Sequence, residues 1–249
     1  QYGRKPDRRQ EEIRGRGRWA CGVEFDYAGD GEHQTFWQGG KGRMKEQGLL
    51  LIVSGPSGAG KGTVVEALLA RDGYALSISA TTRPPRPYEQ EGVHYFFQTE
   101  KEFEDMVQAD GFLEHAAFCG HHYGTPKNYV LQQMAQGKHV ILEIEVQGAF
   151  QVKEKYPEAV LLFLAPPSLA ELKKRLEGRG TEDAQTIAAR LRRAQEEMAL
   201  VEKYDYLVVN SQVEDAVADI KAILRAEKRR CIRQKEFLQH FREGQEGLC

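Results

Sequence analysis

The stretch "SGPSGAGKGT" at residues 54–63 combines residue types that can hold phosphate. Gly55, Gly58 and Gly60 permit tight turns, so that successive backbone N–H groups can point inward at one anion. Lys61 supplies a positive charge for the β- and γ-phosphates of a nucleotide. Because an apolar run precedes the loop and a helical pattern follows it, the stretch predicts a nucleoside triphosphate site rather than a glycine turn without a ligand.

The end of this loop departs from the strict P-loop pattern, in which Ser or Thr directly follows the lysine. Gly62 takes that place, and the next hydroxyl belongs to Thr63. This order resembles the loop of many nucleoside monophosphate kinases, and it makes Thr63 the candidate contact for Mg²⁺, directly or through water. The predicted nucleotide-binding residues of the loop are Gly55, Pro56, Ser57, Gly58, Ala59, Gly60, Lys61, Gly62 and Thr63.

A second candidate phosphate site lies in "SISATTRPPRPYEQEGVHYFF", residues 77–97. Arg83 and Arg86 flank two prolines, which hold the backbone extended and limit the movement of the guanidinium groups. Two arginines fixed in this way can donate paired hydrogen bonds to one phosphate. An exposed basic turn is the alternative, and the motifs downstream favour the phosphate interpretation.

The composition is that of an ordinary globular protein, with 41% hydrophobic and 29% charged residues among 249. A net charge of −2 argues against bulk binding to nucleic acid. No apolar run approaches the ~20 residues of a membrane-spanning helix. The four cysteines, Cys21, Cys119, Cys231 and Cys249, are too dispersed for a CxxC metal or redox site. We therefore expect a cytoplasmic protein that binds neither nucleic acid nor membrane.

Residues 1–43 differ in composition from the rest of the chain. They contain nine of the 25 glycines, a basic start and no sustained apolar period. Such a segment cannot bury enough apolar surface to offset the entropy lost on ordering. We interpret it as a disordered extension that precedes a natural start at Met44; an RNA-binding arm is the alternative.

This interpretation predicts that a chain shortened to begin at Met44 keeps its melting temperature and its kinetics. Thermal unfolding and steady-state turnover of the two chains measure the comparison. A melting temperature lower by several degrees, or a fall in activity of about tenfold, would show that residues 1–43 pack on the remainder or take part in catalysis.

From Met44 onward, strand patterns alternate with helix patterns. Continuous apolar runs are typical of strands buried on both faces, and their alternation with helices predicts a parallel α/β sheet with right-handed crossovers. The predicted strands cover residues 49–54, 74–79, 139–144, 159–165 and 206–209. Helix starts are indicated by Thr99 with Glu102, Thr125 with Pro126, Ser168 with Glu171, and Ser211 with Glu214. The tail 231–249 is compatible with an extension of the last helix, and we assign it no function.

Several motifs between Met44 and about Arg230 together resemble the guanylate kinase family. They are "SGPSGAGKGT", "SISATTRPPR", "GVHYFF", "FLEHAAFCGHHYGTP", "VILEIEVQGA", "FLAPPS", "LKKRLEGRGTED" and "IAARLRRAQEEM". The resemblance implies a P-loop core with a parallel sheet flanked by helices. It also implies an inserted GMP-binding subdomain at about 77–130, a helical lid at about 172–187, and phosphorylation of GMP and dGMP with ATP and Mg²⁺.

The resemblance also implies roles residue by residue. The residues that match those holding the GMP phosphate in the family are Ser79, Arg83, Arg86, Tyr95 and Tyr123. The residues that match those reading guanine are Glu114, Thr125 and Glu145, and Asn210 matches the region beside the adenine of ATP. The implied catalytic residues are Lys61, Arg83, Arg175, Arg179 and Arg190. Glu145 departs from the best-known members, which carry Asp there. We interpret Arg193 as part of a solvated helix face.

The chemistry fits these residue types. Guanine presents N1–H and N2–H₂ donors on one edge, which a carboxylate accepts, and the apolar setting of Glu114 favours this role over that of a solvated carboxylate. The nucleophile is an anionic oxygen of the GMP phosphate, so no general base is needed. Two rivals stay open: a catalytically silent guanylate-kinase-like binding module, and a P-loop kinase for another phosphorylated acceptor. Lys61 and Arg190 count against the first, and Glu114 and Tyr123 against the second.

Overall fold

The computed structural model describes residues 47–178 and 183–246. The predicted extension 1–43 lies outside the described residues, and so does Arg179 in the predicted lid. The strands are β1 (Leu50–Ser54), β2 (Tyr74–Leu76), β3 (Ala80–Thr81), β4 (Phe96–Phe97), β5 (Phe112–Phe118), β6 (His121–Pro126), β7 (His139–Glu143), β8 (Val160–Ala165) and β9 (Tyr206–Val209). The helices are α1 (Lys61–Leu69), α2 (Glu100–Gln108), α3 (Lys127–Ala135), α4 (Val146–Lys155), α5 (Leu169–Glu177), α6 (Ala184–Met198), α7 (Val213–Lys228) and α8 (Lys235–Glu246).

The central sheet contains five strands in the order β2-β7-β1-β8-β9, and every pairing in it is parallel. This confirms the parallel α/β class predicted from the apolar runs. The second strand is shorter than predicted: it ends at Leu76 rather than at residue 79. The first βα connection of the fold is the glycine-rich loop, which therefore lies at the carboxyl edge of the sheet, where α/β proteins bind ligands.

Both faces of this sheet are covered by helices, and alternate residues of β1 enter the two hydrophobic layers. Leu50 and Ile52 pack in the layer that contains side chains of α3 and α4. Leu51 and Val53 pack in the layer that contains side chains of α1 and α7. These four side chains are at most 1% exposed, and the burial of each contributes about 1.5–3 kcal/mol. The continuous apolar run thus serves two cores at once.

A second sheet of four strands, in the order β4-β3-β6-β5, was not predicted strand by strand. Its β3–β4 pair is parallel, and the β3–β6 and β5–β6 pairs are antiparallel. The β5–β6 hairpin turns at Cys119 and Gly120, whose φ angles of 49° and 79° match the two positive φ values of a type I′ turn. Phe103 of α2 stacks on Phe112 of β5 at 4.5 Å between ring centroids, which closes a small separate core.

Two of the predicted helix starts are confirmed. Thr99 and Glu102 form a complete capping box at α2, because each side chain accepts from the backbone N–H of the other. The Ser168 hydroxyl accepts from the Glu171 backbone N–H at 3.1 Å and caps α5.

The other two predicted helix starts are wrong. Thr125 lies in β6, Pro126 stands at the N-cap rather than inside the helix, and the Thr125 hydroxyl is used elsewhere, by Glu114. α7 begins at Val213 after Gln212, with no side-chain hydrogen bond at its cap.

The tail does not extend the last long helix, because α7 ends at Lys228 and α8 is a separate helix. The buried carboxylate of Glu227 holds the start of the tail: it accepts from Tyr206 at 2.7 Å and from Arg233 at 3.0 Å. Burial raises the pKa of Glu227, but the hydrogen bonds from Tyr206, Arg233 and Arg230 outweigh it and leave the pKa below its usual value. No helix of the described ranges is long and apolar enough to cross a membrane.

Candidate functional site

The glycine-rich loop between β1 and α1 has a backbone that only glycine permits at two positions. Gly55 has a φ of 144°, and a Cβ atom there would lie 2.1 Å from the Leu164 carbonyl oxygen. Gly60 has a φ of 91°, and a Cβ atom there would lie 2.4 Å from Nδ2 of Asn210. The sequence pattern is therefore required by both the turn and the close approach of neighbouring groups.

Lys61 is the first residue of α1, and its side chain folds back over the loop. Its Nζ donates to the Gly55 carbonyl oxygen at 2.6 Å and to that of Pro56 at 3.3 Å. The first turn of α1 holds no acidic residue, so the positive end of the helix is not offset locally. Thr63 is exposed in the same turn. This arrangement suits an anion above the loop.

One cavity of about 290 Å³ lies beside the loop, at the start of α7, and is lined in part by Thr63 and Asn210. Asn210 is 4% exposed, and its Nδ2 donates to the Ala59 carbonyl oxygen at 2.8 Å. Arg175 lines the same cavity: its Nη2 donates to the Asn210 carbonyl oxygen at 3.0 Å, and its Nε to Glu171 at 3.0 Å. The structure thus brings Asn210, Thr63 and Arg175 together.

A second cleft, of about 540 Å³, is lined by Lys61 itself. Its lining includes Gly55, Ser57, Lys61, Glu143, Glu145, Arg190 and Arg193. Nη1 of Arg190 donates to the Ser57 hydroxyl at 2.5 Å, which ties α6 to the loop. Five predicted site residues therefore share one cleft: Gly55, Ser57, Lys61, Glu145 and Arg190. Arg175 lines the other cavity, and Arg179 lies outside the described residues.

Glu143 is a residue of this cleft that the sequence analysis missed. It ends β7 and is paired in register with Val53, directly before the glycine loop. Burial raises the pKa of its carboxyl group, and the charge of Lys61 opposes that shift. The available signal was positional, since carboxylates at the end of a strand next to the P-loop strand enter the ligand edge of the sheet.

The predicted phosphate-binding residues gather beside the second sheet. Nη2 of Arg83 donates to both carboxylate oxygens of Glu89, at 2.8 and 2.9 Å, and its guanidinium lies 5.5 Å from the centre of the Tyr95 ring. The rings of Tyr95 and Tyr123 meet edge to face at 6.1 Å. The hydrogen bond from Arg83 lowers the pKa of Glu89, a residue that the sequence analysis also missed.

Two further members of the predicted phosphate set flank this group. Arg86 donates from its backbone N–H to Glu89 at 2.7 Å, and its Nη1 donates to the Tyr88 hydroxyl at 3.0 Å. Ser79 stands directly before β3, where its carbonyl oxygen accepts from the Phe96 N–H at 2.9 Å. Glu89 thus orders both arginine-bearing segments.

Glu114 and Thr125 lie on neighbouring strands and form one polar pair, in which Thr125 is buried and Glu114 is half-buried. The fully buried Thr125 donates its hydroxyl to Oε1 of Glu114 at 2.6 Å. Burial raises the pKa of Glu114, and the hydrogen bond from Thr125 and the charge of Lys155 oppose this shift. A buried carboxylate is costly to ionise without a partner, and this one is not the solvated surface group that the sequence left as an alternative.

Arg193 lies on an exposed helix face, as predicted, but it also pairs with a residue outside that face. Although its side chain is 59% exposed, Nη2 donates to Oε2 of Glu145 at 2.7 Å. Its Nε donates to Oε1 of Glu197, one turn further along α6, at 3.1 Å. The partner Glu145 lies 48 residues away in sequence, so no local pattern could have revealed the pair.

A parallel sheet whose first βα connection is a lysine-bearing glycine loop is the arrangement of P-loop nucleotide-binding proteins. The sequence model of the guanylate kinase family matches residues 47–227. The chain is 50% identical over 201 residues to the guanylate kinase of Caldanaerobacter subterraneus subsp. tengcongensis, covering 80% of this chain and 98% of that protein. It is 52% identical over 184 residues to that of Halalkalibacterium halodurans, covering 74% and 90%.

A solved structure agrees with this match. The crystal structure of guanylate kinase from Anaplasma phagocytophilum superposes with a TM-score of 0.58 at 34% identity, over 76% of this chain and 90% of that one. The chain belongs to the guanylate kinase family.

Proposed function

We propose that this protein transfers the γ-phosphoryl group of ATP to GMP, and to dGMP, yielding GDP or dGDP. The observation that carries the proposal is the second cleft, in which the loop lysine Lys61 and the base-reading candidate Glu145 line one space. A kinase must bring a donor phosphate and an acceptor nucleotide into one enclosure. Family membership supports the same reaction.

The donor nucleotide is assigned to the loop and the cavity beside it. Backbone N–H groups of the loop and Nζ of Lys61 hold the β- and γ-phosphates of ATP. The adenosine portion lies toward Asn210 and Arg175, which line the cavity at the start of α7. Lys61 has to exchange its two loop carbonyl partners for phosphate oxygens when ATP binds.

The acceptor is assigned to the second sheet and the adjoining end of β7. Its phosphate is held by Ser79, Arg83, Arg86, Tyr95 and Tyr123, and its base by Glu114, Thr125 and Glu145. Glu89 orients Arg83 and lowers the local positive charge until a phosphate arrives. Thr125 fixes one oxygen of Glu114 and leaves the other able to accept from guanine.

The chemical step asks the protein for position and charge rather than for a base. An oxygen of the GMP phosphate is already anionic near neutral pH, and it attacks the γ-phosphorus in line while ADP leaves. Lys61, Arg83 and Arg190, with Arg175 and Arg179 of the lid, stabilise the negative charge of the transferred group. We assign the lid to about residues 172–187, and its closure to the exclusion of water.

Mg²⁺ fits the donor set at the end of the loop. The described residues contain no group of three or more His, Cys, Asp or Glu side chains able to hold a metal. Mg²⁺ in kinases is bound mainly by substrate phosphates, water and one or two protein oxygens, so a full protein cage is not needed. Thr63 would hold it, directly or through water, and the carboxylate of Glu143, which senses the charge of Lys61, is a second protein oxygen available to it. When bound, the ion neutralises charge between the β- and γ-phosphates.

An assay of ADP release with GMP, dGMP, AMP, UMP and CMP as acceptors tests the proposed function. We expect turnover with GMP and dGMP that far exceeds turnover with the other three. No ADP release with any acceptor would support the silent binding module, and equal release with AMP or UMP would support a kinase of different acceptor choice. Because ATP and GMP belong to the same cytoplasmic nucleotide pool, we also infer a cytoplasmic location.

A further inference from the structure

We propose that Arg193 is a positioning residue that determines specificity, by holding one carboxylate oxygen of Glu145 so that the other can accept from guanine. The inference rests on the proposed function, because guanine is the ligand of Glu145 in that assignment. Arg193 is not among the residues that the family resemblance assigns to the site. Its role follows from its two ion pairs and from its place in the lining of the cleft.

The guanidinium of Arg193 is fixed at two points. Its Nε donates to Oε1 of Glu197, and its Nη2 donates to Oε2 of Glu145. A planar guanidinium with both ends bonded has a defined orientation, which a lysine ammonium cannot reproduce. A carboxylate offers two oxygens with about four lone pairs, so the bond to Oε2 leaves Oε1 with acceptor capacity.

Glu145 is a side chain that needs such support. It stands at the N-cap of α4, makes no capping hydrogen bond with its side chain, and is 78% exposed. A glutamate has one more rotatable bond than the aspartate of the best-known members, so more conformational freedom is lost when it binds a base. Ordering by Arg193 before the nucleotide arrives removes part of that cost from binding.

Glu197 anchors the guanidinium of Arg193 on α6. Its side chain is only 15% exposed, and it lies one helical turn from Arg193 on α6. Two ion pairs therefore connect α6 to the start of α4: Glu197 binds Arg193, and Arg193 binds Glu145. A surface ion pair alone contributes little, but a pair anchored at a third group that is largely shielded from solvent holds its geometry better.

The alternative, that Arg193 competes with guanine for Glu145, predicts the opposite change in KM for GMP. If Arg193 competed with guanine for Glu145, removal of the arginine would free the carboxylate and lower KM for GMP. If Arg193 positions Glu145, removal would raise KM for GMP. The sign of the change therefore separates a positioning residue from a competitor.

The experiment compares Arg193→Gln with Arg192→Gln in steady-state assays at saturating ATP. Arg192 is the neighbouring arginine on α6, is exposed, and does not line the cleft. For Arg193→Gln we expect KM for GMP to rise about 5- to 30-fold, with kcat within about threefold and KM for ATP unchanged. The preference for GMP over AMP, as a ratio of kcat/KM, falls by a similar factor. Arg192→Gln leaves all four quantities unchanged.

Two further variants make the test specific. Arg193→Lys keeps the positive charge but loses the planar guanidinium that bonds Glu197 and Glu145 together, so KM for GMP rises by less than in Arg193→Gln. In the double variant Glu145→Gln with Arg193→Gln, KM rises no further than in Glu145→Gln alone, since both changes act through one carboxylate. Should Arg193→Gln lower the melting temperature by several degrees, Arg193→Lys carries the comparison.

The outcomes that overturn the inference differ from those that overturn the proposed function. A KM for GMP that is unchanged or lower in Arg193→Gln, or a rise that is fully additive with Glu145→Gln, overturns the role of Arg193 alone. Absence of GMP phosphorylation by the unaltered protein in the same assay overturns the proposed function instead.

Discussion

Replacement of Lys61 by Met is expected to leave a folded protein whose turnover with GMP is lower by a factor of about 10² to 10³ or more. Methionine has an unbranched side chain that is one heavy atom shorter than that of lysine, and it carries no charge to accompany the transferred phosphoryl group. The loop loses the hydrogen bonds from Nζ to the Gly55 and Pro56 carbonyl oxygens, which water can replace because the site is partly exposed, and Glu143 loses a nearby positive charge. Measurement of kcat at saturating ATP and GMP, together with thermal unfolding, checks both halves of the prediction.

Lys221→Met is the matched control, because Lys221 is exposed on α7, away from the cleft lining. We expect this variant to keep the turnover of the unaltered protein. A rate for Lys61→Met within about threefold of normal would remove Lys61 from the mechanism and would restore the silent binding module as an explanation of the fold.

The parts of the fold that were predictable are those whose signal is local and continuous. β1 and β8 appear in the sequence as unbroken apolar runs, because every one of their residues is buried. The second sheet has no such signal. β3 and β4 are two residues long, and β3 is held by pairing of Ala80 with Gly124, far along the chain. Short strands of this kind are defined by their partners rather than by their own pattern.

The helix caps show why a correct local pattern can still fail. Thr99 caps its helix because its hydroxyl accepts from the Glu102 N–H while it donates to the Glu102 carboxylate of the same turn. Thr125 precedes a proline, but it lies within β6, and its hydroxyl donates to Glu114 on the neighbouring strand rather than facing the helix. The tertiary partner is a charged acceptor, and hydrogen bonds to charged groups are the stronger ones.

The candidate site likewise contains residues that a local sequence pattern reveals and residues that only tertiary contacts reveal. The glycine loop was recognisable because its whole chemistry lies within ten consecutive residues. Glu143 and Arg193 were not, since each acquires its place only when a strand or helix packs beside the loop or beside Glu145. Such residues have ordinary sequence surroundings, and their roles depend on contacts across the fold.

Glu114→Gln is expected to reduce kcat/KM for GMP by about 10- to 150-fold, the loss of a hydrogen bond to a charged group worth about 1.5–3 kcal/mol. The amide oxygen can still accept from the Thr125 hydroxyl, so the polar pair itself survives. AMP cannot donate from N1, so its much lower kcat/KM falls far less. The ratio of kcat/KM for GMP and AMP, measured for both proteins, gives the change in base preference.

The thermal stability of Glu114→Gln distinguishes a role of Glu114 in base recognition from a structural role. Because burial raises the pKa of Glu114 in the folded protein, its ionisation opposes folding above the unfolded-state pKa, and the opposition disappears at lower pH. Glu114→Gln should therefore be at least as stable as the unaltered protein near pH 7, while it recognises guanine poorly. A fall in melting temperature together with equal losses for GMP and AMP would mean that Glu114 supports the second sheet and reads no base, and Thr125 and Glu145 alone would then carry the guanine assignment.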